Sequence, residues 1–129
     1  MGVTMDFSSL KALLDAARSF EVEVDGARFK LMLPTDYACR VAIENHRNAA
    51  GDVVGSKSAR EILDAAVVGW DGVKTSHFSP EMDGEAMPFS SAARTVLLDV
   101  RVDIADQLVD AISERIEQRR ARMEAARKN

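Results

Sequence analysis

The stretch AAVVGWDGV, residues 65–73, decides how this chain folds, because an apolar helical run meets the only tryptophan of the chain there. Trp70 follows Gly69 and precedes Asp71-Gly72. Glycine accepts left-handed backbone angles and Asp-Gly favours a turn, so the pattern predicts a helix that ends at Gly69-Trp70. A tryptophan held at such a corner either seals the end of a small core or forms the centre of a contact surface.

The residues that follow the tryptophan, 71–88, have two Asp-Gly steps, two prolines and no periodicity, which predicts a loop. Methionine and aromatic side chains on a loop can repack around varied apolar partners. The alternative is that Trp70 and Phe89 plug the ends of the core. The candidate structural or partner-contact residues are Trp70, Val73, Phe78, Met87 and Phe89.

The N-terminal part combines a helix with a hairpin. Asp6 is predicted to cap the helix, whose apolar residues fall at helical spacing: Phe7, Leu10, Leu13, Leu14 and Ala17. Apolar and charged residues then alternate over 20–33 on both sides of Asp25-Gly26, which predicts a β-hairpin. A two-stranded hairpin is marginal alone, so its apolar face is expected to pack on helices.

The remaining helices are predicted from their start signals. The expected N-cap residues are Thr35 for a helix through about Ala50, Ser58 in a capping box with Glu61, and Ser90 or Ser91 for a short helix. A final long helix is expected from near Asp103, and Tyr37 and Val41 are expected to face inward.

The predicted fold class is therefore mainly α (α+β), with four to five helices and one small N-terminal β-hairpin. The whole chain, 1–129, is interpreted as a single domain. Its expected parts are a helix over 1–19, a hairpin over 20–33, a helical body over 35–116 with a loop over 71–88, and a charged C-terminal helix extension over 117–129.

Composition narrows the classes of function. Hydrophobic residues make up 47% and charged residues 29% of the 129 residues, an ordinary globular balance. The net charge of −4 provides no global attraction to nucleic acid or to an anionic membrane, and neither partner is expected. The single cysteine, Cys39, excludes an intramolecular disulfide, and no targeting signal is recognised, so a reducing cytoplasm is expected.

We expect no catalytic residue, no cofactor and no metal site in this chain. His77 lies in the loop near Glu81, Asp83 and Glu85, but their spacing matches no metal-ligand pattern. A small metal-dependent enzyme built on these loop residues remains an alternative. Cys39 falls within a predicted helix, where a small buried hydrophobe is the expected role.

The stretch around Trp70 also resembles a known family, the tail assembly chaperones of long-tailed, non-contractile bacteriophages (siphophages) and related prophages. The matching pattern is AAVVGWDGV at residues 65–73, a variable loop, Pro88-Phe89-Ser90 at the start of a helix with Leu97-Leu98, and a long charged helix that finishes in Arg127-Lys128-Asn129. The resemblance covers about residues 56–129.

This resemblance implies a non-enzymatic assembly factor. Such proteins bind the tape measure protein, a long, helical and aggregation-prone client, and help to recruit tail tube (major tail) subunits. They act in the host bacterial cytoplasm, are absent from the mature virion, and are expected here to form homo-oligomers. Many are also made in a longer form by a ribosomal frameshift near the end of the short form. The alternative is a structural head-tail joining or tail terminator protein of the virion.

Overall fold

The computed structural model describes residues 4–128 of the chain. This part contains six helices and three strands. In chain order they are α1 (Phe7–Arg18), β1 (Ser19–Val24), β2 (Ala27–Met32), α2 (Asp36–Asn45), α3 (Gly55–Ala66), β3 (Val67–Asp71), α4 (Thr75–Phe78), α5 (Ser91–Val100) and α6 (Val102–Lys128). The α+β class is confirmed. The expectation of four to five helices is wrong, because the predicted loop contains the four-residue helix α4. Residues 1–3 and 129 of the predicted segments lie outside the described part.

The predicted hairpin is present as β1 and β2, which pair in antiparallel register from Ser19 opposite Met32 to Val24 opposite Ala27. Its turn follows directly from the sequence. Asp25 and Gly26 have φ angles of 53° and 79°, and a two-residue turn that needs positive φ at both positions matches the twist of the strands it joins.

A third strand corrects the prediction for the Trp70 stretch. Helix α3 ends at Ala66, and the chain continues without a loop into β3, which pairs antiparallel with β2 and places Trp70 opposite Phe29. Val67 and Val68 are β-branched and suit an extended backbone, and the free edge of the hairpin supplies hydrogen-bond partners for it. The predicted helix end at Gly69-Trp70 is therefore wrong, and the body over 35–116 is not entirely helical.

The helix starts test the capping predictions directly. Asp6, Thr35 and Ser90 each accept a backbone N–H bond at their helix starts, with distances of 2.7, 3.0 and 3.0 Å, so these three N-caps are confirmed. The capping box is wrong, because α3 begins at Gly55 and the hydroxyl of Ser58 donates to the Gly55 carbonyl inside the first turn. Helix α2 ends at Asn45 rather than near Ala50.

The core lies where the sheet meets α3, α5 and α6. Alternate residues of β2 are buried, as expected for a strand with one solvated face. The largest fully buried side chains are Phe29, Leu31, Leu63, Leu97, Leu98, Ile104, Leu108, Val67 and Val73. Helix α6 contributes its last buried residue at Ile112, and all side chains from 117 to 128 are exposed.

Candidate functional site

Trp70, the residue expected at the centre of any site, belongs to the core. Its side chain is 6% exposed and meets the rings of Phe29 and Phe89 edge-on, at centroid distances of 6.1 and 5.0 Å. The indole Nε1–H donates a 2.8 Å hydrogen bond to the carbonyl oxygen of Met87. The two aromatic rings therefore hold the apolar part of the indole, and the hydrogen bond holds its N–H group.

The other four candidate residues also lie in or against the core. Val73 is 1% exposed, and Phe78, Met87 and Phe89 are half-buried and pack on the core cluster. The segment 72–88 is tied by backbone bonds, since Thr75 N–H donates to Glu85 O at 2.8 Å. Met87 N–H likewise donates to Val73 O at 2.9 Å. Among the large apolar side chains of this segment, Met82 is the exposed one, at 52%.

Arg101 joins this segment to the hairpin turn and to α6. Its guanidinium donates to the carbonyl of His77 at 3.1 Å and to the carboxylates of Asp25 and Asp103 at 3.0 and 2.8 Å. The side-chain bonds from Arg101 lower the pKa of Asp103 from 3.8 to about 2, and those bonds also raise the pKa of Arg101. The guanidinium of Arg101 thus holds the segment 72–88, the hairpin turn and the start of α6 together at the protein surface.

His77, the key residue of the metal-enzyme alternative, has both ring nitrogens engaged. The Lys74 backbone N–H donates to Nδ1 at 2.9 Å, so Nε2 must carry the hydrogen that faces the Asp25 carbonyl at 2.8 Å. Within residues 4–128, no group of three or more His, Cys, Asp or Glu side chains is placed to hold a metal ion. The geometry gives His77 a structural role between the loop and the hairpin turn.

Cys39 lies on α2 in a half-buried position. Burial, together with the nearby negative charge of Asp36, raises the pKa of its thiol. A raised pKa disfavours the thiolate, which is the nucleophilic form of cysteine. This position therefore lacks the electropositive surroundings of a reactive cysteine.

Helix α1 carries four exposed large apolar side chains: Phe7, Leu10, Leu13 and Leu14. None of its residues is buried, and Phe7 and Leu13 are 76% and 57% exposed. Its two half-buried residues are instead charged, Asp15 and Arg18, so its apolar side is turned to solvent rather than to the rest of the chain. A 12-residue helix that buries no side chain gains little stability from packing, so contact with a partner would stabilise α1.

A second apolar feature is a groove between α2 and α3, with a volume of about 300 Å³. We call it the α2–α3 groove. Its lining consists of Pro34, Tyr37, Ala38, Val41, Ala42, Glu61, Ile62 and Ala65. Tyr37 is 75% exposed, so the expectation that it faces inward is wrong. An exposed aromatic side chain beside an apolar groove is typical of a protein-binding surface.

The charged end of α6, residues 117–128, lines a different cavity of about 310 Å³, where the end of α1 and the start of α2 meet α6. Arg119, Arg120 and Arg127 surround it together with Arg18, which donates from Nε to the Leu33 carbonyl at 2.8 Å. Acidic side chains also line this cavity, so it is not purely basic.

The candidate residues predicted from the sequence centre on Trp70 and belong neither to α1 nor to the α2–α3 groove. The sequence of α1 shows an apolar stripe at helical spacing, but the tertiary structure determines whether this stripe faces the core or the solvent.

Among residues 4–128, no helix is both long enough and apolar enough to cross a membrane. Comparisons with protein-family models, with curated proteins and with solved structures give no match for this chain.

Proposed function

We propose that the protein is a tail assembly chaperone of the siphophage type. In this proposal it binds the tape measure protein in the bacterial cytoplasm, helps to recruit tail tube subunits, and does not enter the finished virion. The α2–α3 groove is the observation that supports the proposal best, because a groove with an almost entirely apolar lining is suited to the apolar stripe of a client helix.

The dimensions of the groove fit a short segment of helix. The groove lining on α2 runs from Tyr37 to Ala42, about 8 Å along the helix, which corresponds to roughly one and a half turns of a client helix. Such a segment can insert about two apolar side chains, each worth ~1.5–3 kcal/mol when buried. Because association costs at least ~4 kcal/mol, one groove binds one segment weakly. Tight coating of a long client would then come from many copies that act together.

Co-expression with the tape measure protein tests this proposal. We expect the client to remain soluble and to elute with the wild-type protein. Ala65→Glu places a carboxylate at an exposed position of the groove without changing the core, so it should abolish the complex. The matched control is Val68→Glu, which adds the same charge at a 50% exposed position outside the groove and should leave the complex intact.

A client that stays insoluble beside the wild-type protein, with no complex that elutes together, would overturn the proposal. A complex that survives Ala65→Glu would assign the binding to another surface, and equal loss in both variants would show that the loss is not specific to the groove. Gene order provides an independent check. The gene is expected between the major tail protein and a very long tape measure gene, and a place among head-completion genes would favour the head-tail joining alternative.

A further inference from the structure

Two arginines on the charged end of α6 have no acidic partner within the described part of the chain. Among residues 4–128, Arg119 and Arg127 form neither an ion pair nor a side-chain hydrogen bond, whereas Arg120 is paired with Glu117 at 2.9 Å. Both unpaired guanidinium groups line the cavity of about 310 Å³ between α6, the end of α1 and the start of α2, which we call the α6 cavity. Guanidinium groups bind carboxylates through paired hydrogen bonds, so the α6 cavity offers two positions for an anionic group.

The two arginines lie on one side of α6 with Met123 midway between them. Arg119, Met123 and Arg127 are four residues apart, so they occupy successive turns at a spacing of about 6 Å along the helix. In an extended peptide, neighbouring side chains on one face are two residues apart, or about 6.6 Å. An extended segment with an acidic, an apolar and an acidic residue at alternate positions therefore matches the spacing of these three side chains.

The α6 cavity also has an apolar part. Met123 is 55% exposed, and Leu33, Pro34 and Ile116 complete the apolar lining. Leu33 is buried and Ile116 packs against the core, so the fold holds this part of the lining in place. A volume of about 310 Å³ is at the lower end for ligand pockets, so the cavity admits single side chains of a short segment rather than a helix about 10–12 Å in diameter.

The acidic groups of the lining favour a peptide over a nucleic acid. Asp36 and Glu124 line the same cavity as the arginines. Backbone N–H groups of a peptide can donate to these carboxylates, whereas phosphates only accept hydrogen bonds and would be repelled by them. No described residue of the lining is aromatic, so the cavity has no aromatic platform for a base.

We propose that the α6 cavity binds a partner protein through an extended acidic segment, in which an apolar residue lies between two acidic residues at alternate positions. The two carboxylates pair with Arg119 and Arg127, and the apolar side chain packs on Met123. Among the described residues, the α6 cavity shares only Pro34 with the α2–α3 groove. This second binding site therefore goes beyond the proposed function and does not depend on it.

The test titrates the nitrogen-15-labelled protein with the synthetic peptide acetyl-Glu-Ser-Leu-Ser-Glu-amide and follows the backbone amide shifts by nuclear magnetic resonance. We expect saturable shifts centred on residues 116–127 and 33–36, with a Kd of about 1 mM or below at ~0.15 M salt. The matched peptide, acetyl-Glu-Glu-Ser-Leu-Ser-amide, has the same composition and charge but adjacent acidic residues. It should bind about fivefold more weakly or worse, because only one carboxylate at a time can reach its arginine.

Two double variants separate the α6 cavity from general charge attraction. Arg119→Gln/Arg127→Gln should weaken binding about fivefold or more, because two ion pairs are lost. The matched control, Arg122→Gln/Lys128→Gln, removes the same charge from the same end of α6 at positions outside the lining. It should bind within about twofold of the wild type, since charges beyond ~8 Å are largely screened at this salt. All side chains from 117 to 128 are exposed, so circular dichroism should show that both variants are folded.

Four results would each overturn the proposal. They are the absence of saturable binding to the wild-type protein, equal binding of the two peptides, equal losses in the two double variants, and tighter binding of a short oligothymidylate than of the first peptide. Loss of peptide binding in Ala65→Glu would also overturn it, because that result would place the segment in the α2–α3 groove. The titrations contain no tape measure protein, so their outcome is independent of the proposed function.

Discussion

Replacement of Trp70 by alanine tests the assignment of this side chain to the core. The indole is 6% exposed, so nearly all of its apolar surface returns to water or is replaced by a cavity. Truncation of a buried tryptophan costs about 3–5 kcal/mol. The two edge-on contacts, with Phe29 at 6.1 Å and Phe89 at 5.0 Å, place the expected loss of unfolding free energy near the middle of this range, at about 4 kcal/mol.

Trp70→Phe separates the packing from the hydrogen bond. Phenylalanine keeps most of the aromatic surface but removes the donor that faces the Met87 carbonyl at 2.8 Å. The expected cost is about 1–3 kcal/mol, because a carbonyl in a half-buried position loses its partner. Trp70→Ala should therefore be clearly less stable than Trp70→Phe.

Urea unfolding followed by far-ultraviolet circular dichroism is the suitable assay, because Trp70 is the only tryptophan and its removal abolishes the fluorescence signal. The control is Val68→Ala on the same strand, where a 50% exposed side chain should cost under about 1 kcal/mol. A loss below about 1.5 kcal/mol for Trp70→Ala would refute the assignment of this residue to the core.

Two further substitutions test the helix start at α5 and the charged group around Arg101. Ser90→Ala removes the acceptor for the Ala93 N–H at 3.0 Å and should lower the unfolding free energy by about 1 kcal/mol in urea unfolding, whereas Ser91→Ala should have little effect. The pKa of Asp103 is lowered from 3.8 to about 2, so its ionised form stabilises the folded protein above about pH 4 and this contribution is lost as the pH falls toward 2. Asp103→Asn should therefore show a smaller loss of stability than the wild type between about pH 5 and pH 2, and identical pH profiles would contradict the role given to the Arg101 bonds.

The hairpin turn and three helix starts could be predicted because each depends on residues that are close together in the sequence. Asp25-Gly26 identifies the hairpin because two adjacent residues determine the turn. Asp6, Thr35 and Ser90 identify helix starts because each bonds a backbone group three residues ahead.

Strand β3 could not be predicted in this way, because it depends on a distant partner. Val67 and Val68 continue an apolar run that fits a helix as well as a strand. The pairing of Trp70 with Phe29, far away in the sequence, determines the outcome. A tertiary contact of this kind overrides local preference.

The candidate surface was only partly predictable for a similar reason. The apolar spacing of α1 gave a correct helix, but spacing alone does not say whether an apolar stripe faces the chain or the solvent. Tyr37 illustrates the same limit, because the helix was predicted and the burial was not. The exposure of the α1 side chains and of Tyr37 follows only from the tertiary structure, in which the core is complete without them.

The core is complete before α6 ends, and this has a consequence for the rest of the helix. Ile112 is the last buried residue and Ile116 packs at the edge of the core, so the following helical turns contribute no buried side chain. The free energy of unfolding should therefore depend little on which polar side chains follow residue 116. Exchange of residues 117–128 for another polar helical sequence should leave the folded unit intact.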